Sequence, residues 1–101
     1  MQSNLPLTST RWTHKKTDDY HLELERASDG NLFIHINVYK WTPRVYREIM
    51  DEWLSLEELL RECREPIIYG LLPSNREEFA LMFGWTLHGK KFGYTLVSKE
   101  I

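Results

Sequence analysis

Two histidines and a glutamate have the types and spacing that most readily suggest chemistry. His21, Glu23 and His35 lie on neighbouring segments that alternate with the two-residue period of β-strands. Imidazole and carboxylate groups on adjacent strands are usable ligands for a divalent metal. A metal centre also needs second hydrogen-bond partners that orient its ligands, and none is evident in the sequence. We therefore interpret Glu23 and His35 as an ordinary cross-strand pair and predict no metal site.

The sequence contains no recognisable nucleophile. Cys63 is the only cysteine among 101 residues, which excludes a disulfide framework and a cysteine-based zinc site. It falls on the apolar stripe of a predicted helix, so we expect it to be a buried packing residue. No Ser/His/Asp set has the strand–turn–helix context of a known hydrolase.

Composition and charge narrow the class of protein. With 42% hydrophobic and 28% charged residues, the chain has the composition of one globular domain. The formal net charge of -2 disfavours a nucleic-acid partner, because such binders usually carry a basic surface. The apolar runs are far shorter than the roughly 20 residues of a membrane span, and Met1–Pro6 lacks a secretory signal pattern. We expect a cytoplasmic protein with no membrane partner.

Two alternating segments, Tyr20–Arg26 and Leu32–Lys40, predict a β-hairpin. A three-residue loop would place Gly30 where such loops need a left-handed residue. It would also pair apolar positions with apolar positions, which a two-residue loop would not do. The predicted pairs are Leu22 with Ile36 and Leu24 with Ile34.

The opposite face of this hairpin is predicted to be polar and free of covering helices. Its side chains are His21, Glu23, His35 and Asn37. Such a face is a candidate for contact with another protein.

A long helix is predicted after the hairpin. Thr42 is a suitable N-cap and Pro43 a suitable first helical residue. Apolar residues then recur at steps of three and four as far as Glu65, and Pro66 ends the helix.

The remaining segments predict a buried strand, a short helix and a second hairpin. Ile67–Leu72 is continuously apolar. Ser74 and Glu77 have the spacing of a capping box for a helix over Glu77–Phe83, which Gly84 would end. The closing hairpin is predicted from Trp85–His88 and Phe92–Ser98, joined by Gly89-Lys90-Lys91.

The predicted fold is α/β, a mixed sheet with the order β-β-α-β-α-β-β, one long helix and one short helix. The strand–helix–strand unit around the long helix should be a right-handed crossover between parallel strands. Residues 20–101 form the domain. Residues 1–19 precede it as an N-terminal arm or as an edge strand around Leu7–Trp12.

This order resembles the second half of the fold of the GNAT family of N-acetyltransferases. Residues 66–97, PIIYGLLPSNREEFALMFGWTLHGKKFGYTLV, carry the resemblance, which reaches about two-thirds of the chain when Leu32–Glu65 is included. The segments HINVYKWTPRVYREI and MFGW resemble small GNAT-like proteins of tailed bacteriophages. Some of those are acyltransferases and others are virion or assembly proteins. The resemblance implies a truncated GNAT-like domain, found in the host cytoplasm or the virion.

The resemblance also implies a place for acetyl-CoA. In the family, a glycine-rich turn at the start of the long helix holds the cofactor through backbone N–H groups. Residues 40–47 contain no glycine here, and Pro43 removes one donor. We expect Arg44 and Arg47 to pair with Glu48 and Asp51 instead. If cofactor binds, the candidate residues are Thr42, Arg44, Arg47 and Asn75.

The resemblance places the family's proton-donating tyrosine at Ala80, beside Phe79, and neither side chain donates a proton. We therefore expect a non-catalytic, protein-binding domain without cofactor. The alternative is an acyl-CoA-dependent N-acetyltransferase. Further candidates for contact, through exposed aromatic side chains, are Trp12, Tyr39, Trp41 and Tyr46. Open sheet edges would allow strand addition or self-association.

Overall fold

The computed structural model describes residues 10–101, which form a six-stranded mixed sheet and two helices. The elements are β1 (Thr10–Lys16), β2 (Tyr20–Arg26), β3 (Leu32–Val38), α1 (Pro43–Glu62), β4 (Ile67–Pro73), α2 (Glu77–Met82), β5 (Thr86–Lys91) and β6 (Tyr94–Glu100). The strand order is β1-β2-β3-β4-β6-β5. Strands β3 and β4 are parallel, and every other neighbouring pair is antiparallel. The predicted α/β class and element order are confirmed.

The β2–β3 hairpin has the predicted register. Leu22 lies opposite Ile36 and Leu24 opposite Ile34. Gly30 adopts φ +90°, the left-handed conformation that the three-residue loop needs. The apolar residues of both strands therefore share one face.

Strand β1 adds an edge to this hairpin, so the described part of the N-terminal segment takes the edge-strand alternative. Trp12 pairs with Leu24, and a β-bulge lies between Thr13 and Lys15. The strand extends to Lys16, beyond the predicted end at Trp12, and residues 7–9 of the predicted Leu7–Trp12 lie outside the described residues.

Both helices pack on the face of the sheet that carries Leu24 and Ile34. The buried residues of α1 recur at helical spacing and meet this face. Ala80 of α2 and Trp85 belong to the same core, and the rings of Trp53 and Trp85 lie 5.1 Å apart. The other face of the sheet carries no helix in the described part of the chain. No described helix is long and apolar enough to cross a membrane.

Helix α1 ends three residues before the predicted Glu65. Cys63 is the C-cap, the N–H of Arg64 donates to the carbonyl of Arg61, and the N–H of Glu65 donates to the carbonyl of Leu60. This is a Schellman ending, with Arg64 left-handed at φ +60°. Cys63 is exposed, so its prediction as a buried packing residue is wrong. The helix stops before the apolar stripe reaches that position.

Two further local predictions are corrected. Ser74 and Glu77 make no capping box, because both side chains contact the Thr95 hydroxyl, at 3.0 and 2.6 Å. The β5–β6 hairpin turns at Phe92 and Gly93, not at Gly89-Lys90-Lys91. Gly89 instead follows a bulge inside β5. The predicted stop of α2 at Gly84, with φ +81°, is confirmed.

Candidate functional site

A cleft opens where β3 and β4 diverge. The two strands pair at Phe33 with Tyr69 and at Ile34 with Gly70, and beyond these residues their ladder ends. The space between them is a cavity of about 510 Å³, within the range of ligand-binding clefts. Divergence of two central parallel strands thus creates a sizeable concave site in this small protein.

The cleft has an apolar wall on the side of the helices and a polar mouth on the bare face of the sheet. Aromatic side chains dominate the wall, including Trp53, Phe83 and Trp85. Arg11, His35 and Asn37 line the opposite mouth. Arg76 also lines the cleft, and no Asp or Glu of the described residues does. The lining is therefore apolar with a cationic bias, although the whole chain has a net charge of -2.

The first turn of α1, where the resemblance places a cofactor, is occupied by the chain's own groups. Thr42 is extended, and its hydroxyl accepts the N–H of Val45 at 3.1 Å. The Arg44 guanidinium donates to Asp19 at 2.7 Å and to Glu48 at 2.6 Å. These bonds, that to Asp19 above all, raise the pKa of Arg44 above its ordinary value. Both groups therefore already have partners.

None of the four candidate cofactor residues lines the cleft. Thr42, Arg44 and Arg47 lie at the start of α1, and Asn75 is exposed on the turn before α2. The predicted Arg44–Glu48 pair is present, whereas no Arg47–Asp51 ion pair forms. The residues predicted to bind a cofactor therefore lie outside the wall of the cleft.

An aromatic cluster fills the gap between α1 and α2. The ring of Phe79 lies 5.6 Å from Trp41, 5.6 Å from Tyr46 and 4.8 Å from Phe83. The Arg76 guanidinium stacks 4.8 Å from the centre of the Trp41 ring. The roles of Phe79, Phe83 and Arg76 were not predicted from the sequence, although the two phenylalanines are four residues apart and therefore share one helical face.

The bare face of the hairpin has a different pairing from the one expected. Glu23 lies opposite His35 in the ladder, but its carboxylate is 3.4 Å from Arg11. His35 instead contacts Glu25 at 2.6 Å, and His21 contacts the hydroxyl of Thr13 at 2.9 Å. Within residues 10–101, no group of three His, Cys, Asp or Glu side chains is placed to hold a metal ion.

The predicted contact residues divide between several places. His21, Glu23, His35 and Asn37 share the bare face of the sheet, as predicted from the hairpin register. Tyr39 and Trp41 line the cleft and are 61% and 40% exposed. Trp12 lies on the opposite face of β1, in register with Leu24, and Tyr46 is half-buried against Phe79. These residues therefore do not form one continuous patch.

Comparison with known proteins identifies the class of fold. No family model and no curated protein matches this sequence. Among solved structures, an acetyltransferase of the GNAT family from Listeria monocytogenes 4b F2365 is similar, with a TM-score of 0.55 and 18% identity. The match covers 82% of this chain and 58% of that one, so this chain spans little more than half of that protein's length. The chain thus has a GNAT-like mixed α/β fold.

Proposed function

We propose that this chain is a GNAT-like domain that binds another protein and does not transfer acyl groups. The occupied start of α1 is the observation that carries the proposal. Thr42 satisfies an N–H group of the first turn, and Arg44 is held by two carboxylates. An incoming pyrophosphate would have to displace both interactions, and Pro43 offers it no donor.

The position of the family's proton donor supports the same proposal. Ala80 is buried in the core and Phe79 packs in the aromatic cluster, and neither side chain has a group that could protonate a leaving thiolate. The bare sheet face and the exposed rings of Tyr39 and Trp41 are available for protein contact. We further propose a virion, assembly or host-interaction protein of a tailed bacteriophage, on the resemblance of the segments around Trp41 and Trp85.

Thermal unfolding with acetyl-CoA tests the absence of cofactor binding. We expect no change in Tm at millimolar acetyl-CoA. A ligand at a hundred times its Kd would stabilise by about 2.7 kcal/mol, which is roughly 10 °C or more for a domain of this size. Such a shift, abolished by Arg44→Ala together with Arg47→Ala, would overturn the proposal.

Site-specific cross-linking tests the protein-binding role. A photo-reactive amino acid replaces Asn37 on the bare face, and in a control variant it replaces Leu54, which is exposed on α1. During expression in the source cells, we expect one discrete cross-linked species from position 37 and none from position 54. Equal labelling from both positions, or none from either, would contradict the proposal.

An acyl-CoA-dependent N-acetyltransferase is the second candidate, and the open cleft favours it. Tyr94 lines the cleft and is about half exposed, so its hydroxyl could serve as a proton donor. The test is whether the purified protein hydrolyses acetyl-CoA or transfers its acetyl group, and release of the CoA thiol is the measurement. Turnover that Tyr94→Phe abolishes would establish this candidate in place of the protein-binding proposal.

A further inference from the structure

We propose that the cleft between β3 and β4 binds an extended acidic peptide segment of a partner protein as an inserted strand. This inference rests on the proposed protein-binding function and names the chemistry of its ligand. Four observations support it: the orientation of backbone groups, the walls of the cleft, its charge and the state of the outer sheet edges.

The backbone of β3 directs hydrogen-bonding groups into the cleft. The backbone N–H of Tyr39 donates to the carbonyl of Asp19, and the carbonyl of Asn31 accepts from the N–H of Ala27. The backbone N–H and C=O groups of odd-numbered residues along β3 are therefore directed toward β2. Successive residues of a strand direct their backbone groups to opposite sides. Ile36 and Val38 therefore direct theirs toward β4, beyond Ile34, where the ladder has ended. An extended peptide can pair with these groups.

The two walls of the cleft suit the alternating side chains of a strand. On the helix side, Trp53, Ala80 and Trp85 form an apolar pocket. On the bare face, Arg11, His35 and Asn37 offer polar contacts. An inserted strand would place every second side chain in the apolar pocket and the others at the polar mouth.

The charge of the lining selects an acidic segment. Arg11 and Arg76 line the cleft, and no Asp or Glu of the described residues does. Because Arg11 already lies 3.4 Å from the Glu23 carboxylate, Arg76 is the cation that would select the acidic segment. Arg76 forms no ion pair with a described carboxylate, and its guanidinium lies 4.8 Å from the centre of the Trp41 ring. A guanidinium in this state can bind a carboxylate through two parallel hydrogen bonds.

The outer edges of the sheet are poor sites for strand addition. Strand β1 carries Lys15 and Lys16 beside a bulge, and β5 carries Lys90 and Lys91 after a bulge. Lysines and bulges are the usual devices that prevent pairing at an edge. Strand addition at these edges, expected from sequence, is therefore disfavoured relative to the cleft.

A heptapeptide array tests the ligand chemistry. Every peptide has apolar residues at alternate positions, and the intervening positions carry either Asp and Glu or Lys and Arg. We expect acidic peptides to bind at least 10-fold more tightly than their basic counterparts, measured by calorimetry on the best binders. N-methylation of alternate backbone amides should weaken binding at least 10-fold. Equal binding of both charge classes, or indifference to N-methylation, would overturn the inference.

A charge-reversing variant and hydrogen exchange locate the site. Arg76→Glu should reduce affinity for the acidic peptide at least 10-fold, whereas Lys40→Glu, exposed and outside the cleft lining, should not. Saturating peptide should slow amide exchange at Ile36 and Val38 and leave Tyr39, already bonded to Asp19, unchanged. Unaltered exchange at Ile36 and Val38 would contradict insertion even if Arg76→Glu failed to fold.

The outcomes separate this inference from the proposed function. If cross-linking at position 37 persists while no acidic peptide binds, the cleft inference fails and the protein-binding role stands. If acetyl-CoA binds in the cleft and is turned over, both fail. If light scattering shows a second copy of the chain seated there, in a dimer disrupted by Arg76→Glu, the acidic-peptide inference is wrong.

Discussion

Two non-glycine residues, Arg64 and Phe92, adopt left-handed backbone conformations, with φ of +60° and +53°. Such a conformation costs a residue with a Cβ roughly 1–2 kcal/mol relative to right-handed backbone. Arg64 ends a helix, and Phe92 is the first residue of a two-residue hairpin loop. Both sites therefore contain strain that a single substitution can relieve.

Phe92→Asn should stabilise the protein by about 0.5–1 kcal/mol. Phe92 and Gly93 both have positive φ, as in a type I′ turn, for which Asn-Gly is the favoured pair. Phe92 is 88% exposed, and the Lys91 ammonium lies 5.3 Å from its ring centre. Urea unfolding measures the change. Phe92→Ala removes the same ring without relieving the strain, so an equal gain from it would contradict the explanation.

The pH dependence of stability should include a contribution from Glu77. The hydrogen bond from Thr95, with a smaller effect of Lys90, holds the pKa of Glu77 below its ordinary value. The unfolded chain therefore binds a proton more readily than the folded one at this site. The stabilisation is present above the ordinary carboxyl pKa and is lost as pH falls through the lowered value.

Thr95→Val should consequently destabilise the protein more at pH 7 than at pH 3. Thr95 is buried, and its hydroxyl donates to Glu77 at 2.6 Å. Chemical unfolding at the two pH values provides the comparison. Lys90→Met, which removes the weaker influence on the same carboxylate, serves as the control and should change the pH dependence less. An identical loss at both pH values for Thr95→Val would refute the linkage.

Some of the strands, helix ends and turns could be predicted from the sequence and others could not. The register of β2 and β3 was predictable because alternation admits one pairing that keeps apolar residues on one face. The end of α1 and the β5–β6 turn were not, because Arg64 and Phe92 stand where the pattern would call for glycine. A cleft between β3 and β4 could be expected from the strand order, but whether it is open or filled could not be predicted, since that depends on how the side chains of α1 and α2 pack on the sheet.

Arg64→Gly should stabilise α1 by about 0.5–1 kcal/mol. Glycine is the preferred residue at this position of a Schellman ending because it has no Cβ to strain. Cys63→Gly is the matched control, because Cys63 has φ -79° and gains nothing from the substitution. We expect a higher unfolding midpoint for the first variant and a lower one for the second. The reverse order would show that the ending is not strained.

At the scale of the whole molecule, the described residues form two layers, with helices on one face of the sheet and none on the other. The sheet order places its two edge strands, β1 and β5, on opposite sides of the four inner strands. Each edge strand combines a bulge with two lysines. The protein is thereby protected against edge-to-edge association while its bare face remains open.

Replacing Lys15 and Lys16 with valine should promote self-association. The two side chains lie on β1, an edge strand whose residues are mostly exposed, and valine favours pairing with another chain. Light scattering at increasing protein concentration measures the effect. Lys40→Val, outside any strand, is the control. A double variant that remains monomeric alongside this control would show that the bulge alone protects the edge.

The positions of the four tryptophans make their intrinsic fluorescence sensitive to whether the cleft is occupied. Trp41, Trp53 and Trp85 line it, whereas Trp12 is exposed on the edge strand β1 and does not line it. An occupant would shield Trp41 from iodide quenching and alter the emission of the two buried indoles. Replacing Trp12 with phenylalanine would remove the background, so cleft occupancy could be read from intrinsic fluorescence without a label.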